Sequence, residues 1–268
     1  MLVHDFLAHS AQRIPDKTAV ICDGQRLSYG DLDRRSNQLA NALKERGIKR
    51  GDRVGLFLPN SIAMAVGIFG TLKAGAVFVP INHTTKREKL VHILQNCRTS
   101  ALITDTRGAA QGCVSKIAGE VPWLRCVVVD HDKSAAVILP EGAGFLQLET
   151  IQKEFPGTRL ENVNIDLDLA CLIYTSGSTG EPKGVMCDHS NVGFLANSIT
   201  TYLENTERDV VMNVLPLSFS YGLYQLLMMV KCGGTLVLEN TFAFPALILK
   251  RMEQERVTGF PGVPTIFT

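Results

Sequence analysis

The stretch Leu172-Ile-Tyr-Thr-Ser-Gly-Ser-Thr-Gly-Glu-Pro-Lys-Gly-Val-Met186 decides how this chain is read. An apolar, β-prone run (Ala170, Cys171, Leu172, Ile173, Tyr174) feeds a loop that carries Gly177, Gly180 and Gly184. Glycines let the backbone approach a ligand closely, so that successive N–H groups converge on phosphate oxygens. The hydroxyls of Thr175, Ser176, Ser178 and Thr179 add donors, and Lys183 adds a point charge. Together these make a polyphosphate cradle. The spacing G-x-x-G-x-x-K-G differs from the Walker A pattern, in which Lys follows the last Gly directly and a Ser/Thr comes next, so a kinase-like or GTPase-like reading starts weak. Ser/Gly/Thr clusters also serve as flexible connections. The strand before this one and the Pro182-Lys183-Gly184 run after it argue for a built site instead.

Outward from the loop, the chain keeps an α/β rhythm. Residues 18–29 read as two short strands joined at Asp23-Gly24. Ser28 is an N-cap for a helix striped by Leu32, Leu39 and Leu43 and stopped at Gly47. Arg53 to Leu58 is a strand, and Pro59-Asn60-Ser61 caps a helix that runs to Lys73 and stops at Gly75. Strands at 76–81, 101–104 and 125–129 then alternate with helices at 86–96 and 109–119. Residues 132–166 break the pattern and read as a connection, with a short helix near 148–155. After the loop come helices at about 190–203, 221–231 and 245–255 and strands at 209–215, 235–238 and 257–260. Short apolar strands recurring about every 25 residues between helices imply right-handed crossovers and mostly parallel sheets covered by helices. The expectation is an α/β fold of two stacked lobes, 1–165 and 166–268.

Composition narrows the partners. Of 268 residues 46% are hydrophobic, enough to fill a substantial core, and 27 basic against 26 acidic residues leave a net charge of +1. With no long run of one sign, nothing points to nucleic acid or an anionic membrane surface. The N-terminus has no basic segment followed by a long apolar one, and no stretch reaches about 18 uninterrupted apolar residues, so a cytoplasmic location is expected. The seven cysteines are scattered, with no C-x-x-C pair, and read as reduced core thiols; the six histidines suggest no metal cluster.

A second segment bears on ligands. Leu215-Pro-Leu-Ser-Phe-Ser-Tyr-Gly-Leu223 follows a strand, and open parallel sheets bind ligands beyond the carboxyl ends of their strands. The same residues also suit an ordinary strand-to-helix turn packed by Phe219 and Tyr221.

The central loop resembles the signature of the adenylate-forming superfamily, which includes acyl-CoA synthetases, peptide-synthetase adenylation domains and luciferase. That signature reads approximately Y-T-S-G-[ST]-T-G-x-P-K-G-V, and this chain is similar to it from Tyr174 to Val185. Ser28-Tyr29, Arg53-Val54, Leu58-Pro59-Asn60, Leu72 to Pro80 and Val257 to Thr265 also resemble segments of the family, so the resemblance covers nearly the whole chain. It implies ATP-dependent activation of a small-molecule carboxylic acid as an acyl-adenylate, then transfer to the thiol of CoA or of a carrier protein. Thr175, Ser176, Gly177, Ser178, Thr179, Gly180 and Lys183 would hold the ATP phosphates, with Thr179 and Lys183 in the catalytic role and Mg²⁺ bridging the oxygens. No metal-ligating residue is assigned in this chain.

The resemblance also assigns Phe219, Ser220, Tyr221 and Gly222 to the substrate pocket. Phe219 stands where the matching segment of acyl-CoA ligases, similar to L-P-[LM]-F-H-x-x-G-L, carries its His, so a role that needs a protonatable group there is lost, and Ser220 stands where amino-acid-activating relatives carry an Asp that pairs with the substrate ammonium. Both departures favour an acid without an amino group. Family segments resembling Y-G-x-T-E and T-G-D, and the mobile C-terminal domain with its catalytic Lys, are not found before Thr268. The expectation is therefore the N-terminal part of an acyl-CoA ligase, with little turnover alone, completed by further sequence or by a partner chain. An amino-acid adenylation domain and a non-catalytic nucleotide-binding module are the competing readings.

Overall fold

A computed structural model describes residues 1–106, 117, 119–130, 144–176 and 182–267. Its strands are β1 (Thr18–Cys22), β2 (Gln25–Ser28), β3 (Arg53–Leu58), β4 (Val77–Asn82), β5 (Thr99–Asp105), β6 (Cys126–Asp130), β7 (Gly144–Gln147), β8 (Leu169–Ser176), β9 (Pro182–Asp188), β10 (Val210–Asn213) and β11 (Thr235–Leu238). The described helices are α1 (Val3–Arg13), α2 (Tyr29–Glu45), α3 (Ile62–Lys73), α4 (Arg87–Asn96), α5 (Leu148–Glu154), α6 (His189–Tyr202), α7 (Ser220–Cys232), α8 (Pro245–Glu255) and α9 (Pro264–Phe267). The α/β class expected from the sequence is the one observed.

Two sheets organise these elements. The larger has the order β7-β6-β5-β3-β4-β8-β9 and is parallel apart from the antiparallel β8–β9 pair. The smaller has the order β10-β11-β1-β2, parallel except for the β1–β2 hairpin. Asp23 and Gly24 both take positive φ, 49° and 76°, which is what a two-residue hairpin turn needs. The expected division at residue 165 does not follow the sheets. The N-terminal β1 and β2 join β10 and β11, and β8 joins the N-terminal β4. A parallel partner does not have to be near in sequence, so the order of strands along the chain does not say which sheet each one enters.

The main core lies between the sheets. It brings together Leu56 of β3, Phe78 of β4, Val20 of β1 and Leu236 of β11 with side chains of α1, α2, α3 and α7. A second cluster covers the other face of the larger sheet with α4 residues Leu90 and Leu94. A third covers the smaller sheet with Ile248 of α8. The result is a stack in which helices alternate with sheets. Helix α3 shows why: apart from its final Lys73 it is apolar nearly all round, and every residue from Ala63 to Lys73 is buried, as a helix between two sheets requires. The Ser61 hydroxyl caps it by accepting from Met64 N at 3.0 Å. A Cβ on Gly70 would lie 2.6 Å from Leu39 Cδ2, so only glycine lets α2 and α3 approach this closely. Lys73, buried at the end of α3, donates to Asp33 and to Asn37 Oδ1 of α2.

Three expectations need correction. Residues 132–166 were read as connection and short helix only, but Gly144–Gln147 pairs in parallel with β6. The segment after the glycine-rich loop is a strand, β9, before it becomes a helix. Residues 257–260 make one bridge, Val211 to Gly259, and do not form a strand. Most of the helix expected over 109–119 lies outside the described residues.

At the junction of α1 and α6, His4 and His189 are buried edge to face, with ring centroids 5.7 Å apart. His189 Nδ1 accepts from Val3 N–H, while His4 Nδ1 and His189 Nε2 have no partner. Burial holds both imidazoles down to about 4. In the unfolded chain they take a proton near about 6.5. Between these values the unfolded state binds more protons, so this contribution to stability is complete above about 6.5 and disappears as pH falls toward 4. The urea midpoint should fall steeply across this window in the native protein and less steeply in His4→Phe. Equal slopes in the two proteins would remove the histidines from the explanation.

Candidate active site

The signature hairpin is built from the ladder upward. In β8 and β9, Cys171 faces Cys187, Tyr174 faces Gly184, Thr175 faces Lys183 and Ser176 faces Pro182. Proline is tolerated as the first residue of β9 because this is an edge strand, with no third partner to supply. A Cβ on Gly184 would meet the Tyr174 ring at 3.1 Å, so glycine lets the ring lie across the ladder. The Tyr174 hydroxyl donates to Asn96 Oδ1 of α4. Burial, with Cys97 nearby, pushes its pKa above the usual tyrosine range and keeps it a neutral donor. Thr175 and Lys183 are exposed at the open end of this ladder. Gly177, Ser178, Thr179 and Gly180 lie outside the described residues.

Beside the hairpin is a cleft of about 490 Å³ lined by Thr84, Lys86, Lys89, Thr175, Ser218 and Phe219, among others. It joins the end of the signature hairpin to the segment 215–223. Lys86 and Lys89 bring positive charge to this cleft beside Glu88, and nothing in the sequence pointed to them. They follow the carboxyl end of β4, which is where the rule for open parallel sheets points. A polar cleft of about 650 Å³, lined in part by Asp23, Arg35 and His83, opens at the ends of β3, β5 and β6 and includes none of the expected site residues.

On the other side of Phe219 lies an apolar cavity of about 480 Å³ between α6, α7 and residues 259–261. Ser220, Tyr221, Tyr224, Met228 and Phe260 line it, and none of its described lining residues is charged. Consecutive residues thus serve two spaces: Phe219 the cleft, Ser220 and Tyr221 the cavity. Gly222 is elsewhere. It is buried against the backbone of 215–216, where a Cβ would lie 2.4 Å from the Pro216 carbonyl oxygen.

Asn60 fixes the position of this segment. Its Nδ2 donates to the carbonyls of Leu215 (3.0 Å) and Glu239 (2.9 Å), and its Oδ1 accepts from Leu217 N (2.9 Å). Asn213 adds a second clamp, donating to Leu215 O and accepting from Leu215 N. Neither asparagine stood out in the sequence as a functional residue, although Leu58-Pro59-Asn60 was a recognised segment. Among the described residues, no group of three His, Cys, Asp or Glu side chains fits a metal ion.

The family described as "AMP-binding enzyme" matches residues 7–268. This chain belongs to it. Two relatives of this AMP-binding chain are gramicidin S synthase 2 of Brevibacillus brevis, 28% identical over 99% of the chain, and tyrocidine synthase 3 of Brevibacillus parabrevis, 32% identical over 96%. The aligned regions are 5% and 4% of those proteins. A solved structure of the anthranilate CoA ligase AuaEII, in complex with anthranoyl-AMP, superposes with a TM-score of 0.90 at 26% identity, covering all of this chain and 50% of that one. The AMP-binding chain therefore has the fold of the N-terminal part of adenylate-forming enzymes and spans half or less of these relatives.

Two substitutions test the scaffold of the site in thermal or denaturant unfolding. Asn60→Asp places an acceptor against two carbonyls and should cost about 1–3 kcal/mol. Gly222→Ala forces a methyl group onto the Pro216 carbonyl and should cost a similar amount, roughly 1–3 kcal/mol. Wild-type stability in either variant would contradict the packing described.

Proposed function

We propose that this chain carries the ATP- and acid-binding part of an enzyme that activates a carboxylic acid as its acyl-adenylate, and that the acid lacks an α-ammonium group. The observation that carries this reading is the uncharged apolar cavity whose lining takes up at Ser220, the residue after Phe219 of the hairpin cleft. The acid's apolar part would fill the cavity, and its carboxylate would emerge at the first turn of α7. The ATP polyphosphate would lie at the hairpin, held by Thr175, Ser176, Gly177, Ser178, Thr179, Gly180 and Lys183. Attack of the carboxylate oxygen on the α-phosphorus forms the acyl–phosphate bond and releases pyrophosphate. Such a transfer needs alignment and relief of charge on the leaving group more than covalent participation by the protein. A thiol, of CoA or of a carrier protein, then takes the acyl group and AMP departs.

Amino-acid activation is the second reading, favoured by the peptide synthases among the relatives. Ser220 and the uncharged lining count against it, because an unpaired ammonium buried there costs on the order of several kcal/mol. ATP–pyrophosphate exchange by the full gene product, run with alkyl or aryl acids and their α-amino counterparts, separates the two. The simple acids should be preferred by about tenfold or more, equivalent to roughly 1.4 kcal/mol. Preference for the amino acids would overturn the assignment. Calorimetry of ATP binding should show weaker affinity in Lys183→Ala and Thr179→Ala. Unchanged affinity in both would detach the loop from the polyphosphate.

A further inference from the structure

Cys171 and Cys187 are direct cross-strand partners in the antiparallel ladder of the signature hairpin. Opposed residues of such a ladder have Cα atoms about 4.5–5.5 Å apart, within the about 4.4–6.8 Å span that a disulfide bridges. Both side chains pack into the main core, on one face of the sheet. The two thiols are close enough to perturb each other's ionisation. Both are free thiols. They differ in access: Cys171 is 1% exposed, between β4 and β9, while Cys187 is half-buried on the edge strand.

We propose that Cys171 and Cys187 form an oxidisable dithiol in which Cys187 is the entry point for a low-molecular-weight disulfide and Cys171 is the resolving thiol. In the first step the Cys187 thiolate attacks one sulfur of the oxidant. A Cys187–sulfur bond forms, the oxidant's own disulfide breaks, and one thiolate leaves and is protonated. In the second step Cys171 gives up its proton and attacks Cys187 Sγ, expelling the second thiol. The protein dithiol loses two electrons and two protons, and the small disulfide becomes two thiols. The product is a covalent staple across the base of the hairpin, closing the ring from 171 to 187 that contains the signature loop.

The electrostatics agree with this division of labour. The adjacent Cys171 thiol holds the Cys187 thiol down at about 7, against burial and the neighbouring Asp188 carboxylate, so it ionises near neutrality. The neighbouring Cys187 sulfur and burial keep Cys171 protonated until Cys187 is capped. Tyr224, which also faces the pair, has its hydroxyl pushed up by burial and by the two sulfurs, and stays neutral. Buried thiols without a cysteine neighbour behave differently: burial, helped by Asp23, drives Cys22 up to about 12, and burial drives Cys126 up to about 11.

The test is peptide mapping by mass spectrometry after the full gene product is treated with oxidised glutathione at neutral pH. The expected product is a 171–187 linked peptide pair with loss of two hydrogens, reversed by a dithiol reductant. Cys171→Ser should stop at the first step and carry one glutathionyl group on Cys187, and Cys187→Ser should form neither product. Cys171→Ala repeats the trapping test in case serine disturbs the core, with circular dichroism confirming the fold. The wild-type map stands without any variant. Absence of the 171–187 link, or glutathionylation spread evenly over the other cysteines in Cys171→Ser, would overturn the proposal.

Discussion

Three hydrogen bonds from one buried amide connect the fold to its site. Asn60 lies just beyond the end of β3 in the larger sheet and satisfies backbone groups of Leu215, Leu217 and Glu239, which follow β10 and β11 of the smaller one. Its own carbonyl accepts from Asn240. Each of these backbone groups would otherwise be buried without water, so the amide is held in one orientation by its partners as much as they are by it. The segment that divides cleft from cavity is therefore registered against both sheets at once.

That registration depends on the layer of helices between the sheets. Helix α3 can lie there because it exposes almost nothing polar along its length, and its one charge, Lys73, is paired with Asp33 and donates a further hydrogen bond to Asn37 on α2. Burial falls mainly on Lys73, and removing Asp33 would leave its charge buried without a counter-ion. Tyr29 makes a similar link, donating from the start of α2 to the backbone carbonyls of Met229 and Gly234 around the end of α7. Polar groups in this core join elements that come from distant parts of the chain.

Local chemistry was legible in the sequence; long-range pairing was not. Ser28, Ser61 and the Asp23-Gly24 turn announced their caps and hairpin because each is decided within four residues. Strand β9 escaped because Pro-Lys-Gly-Val-Met-Cys-Asp has no period-two pattern. It is an edge strand with Val185 and Met186 exposed, so burial imposes no alternation on it. Strand β7 has four residues and one buried position, too little signal to stand out. The parallel pairing of β1 with β11 joins residues about 200 positions apart, which no local rule reports. The same holds for the site. Phe219, Ser220 and Tyr221 were recognisable from their segment, whereas Lys86 and Lys89 reach the cleft only because β4 neighbours β8. Cys171 and Cys187 looked scattered until the hairpin made them partners.

The one-residue division between Phe219 and Ser220 bears on how such a protein changes over time. Side chains that shape the apolar cavity sit on the inner faces of α6 and α7 and on 259–261, while those at the cleft come from β8, β9 and the start of α4. Apart from the first turn of α7, the two sets share no element. Exchanging Tyr221, Tyr224 or Met228 alters the volume available to one ligand without disturbing the backbone that meets the other. The apolar space can therefore change in volume while the charged cleft beside the hairpin keeps its shape.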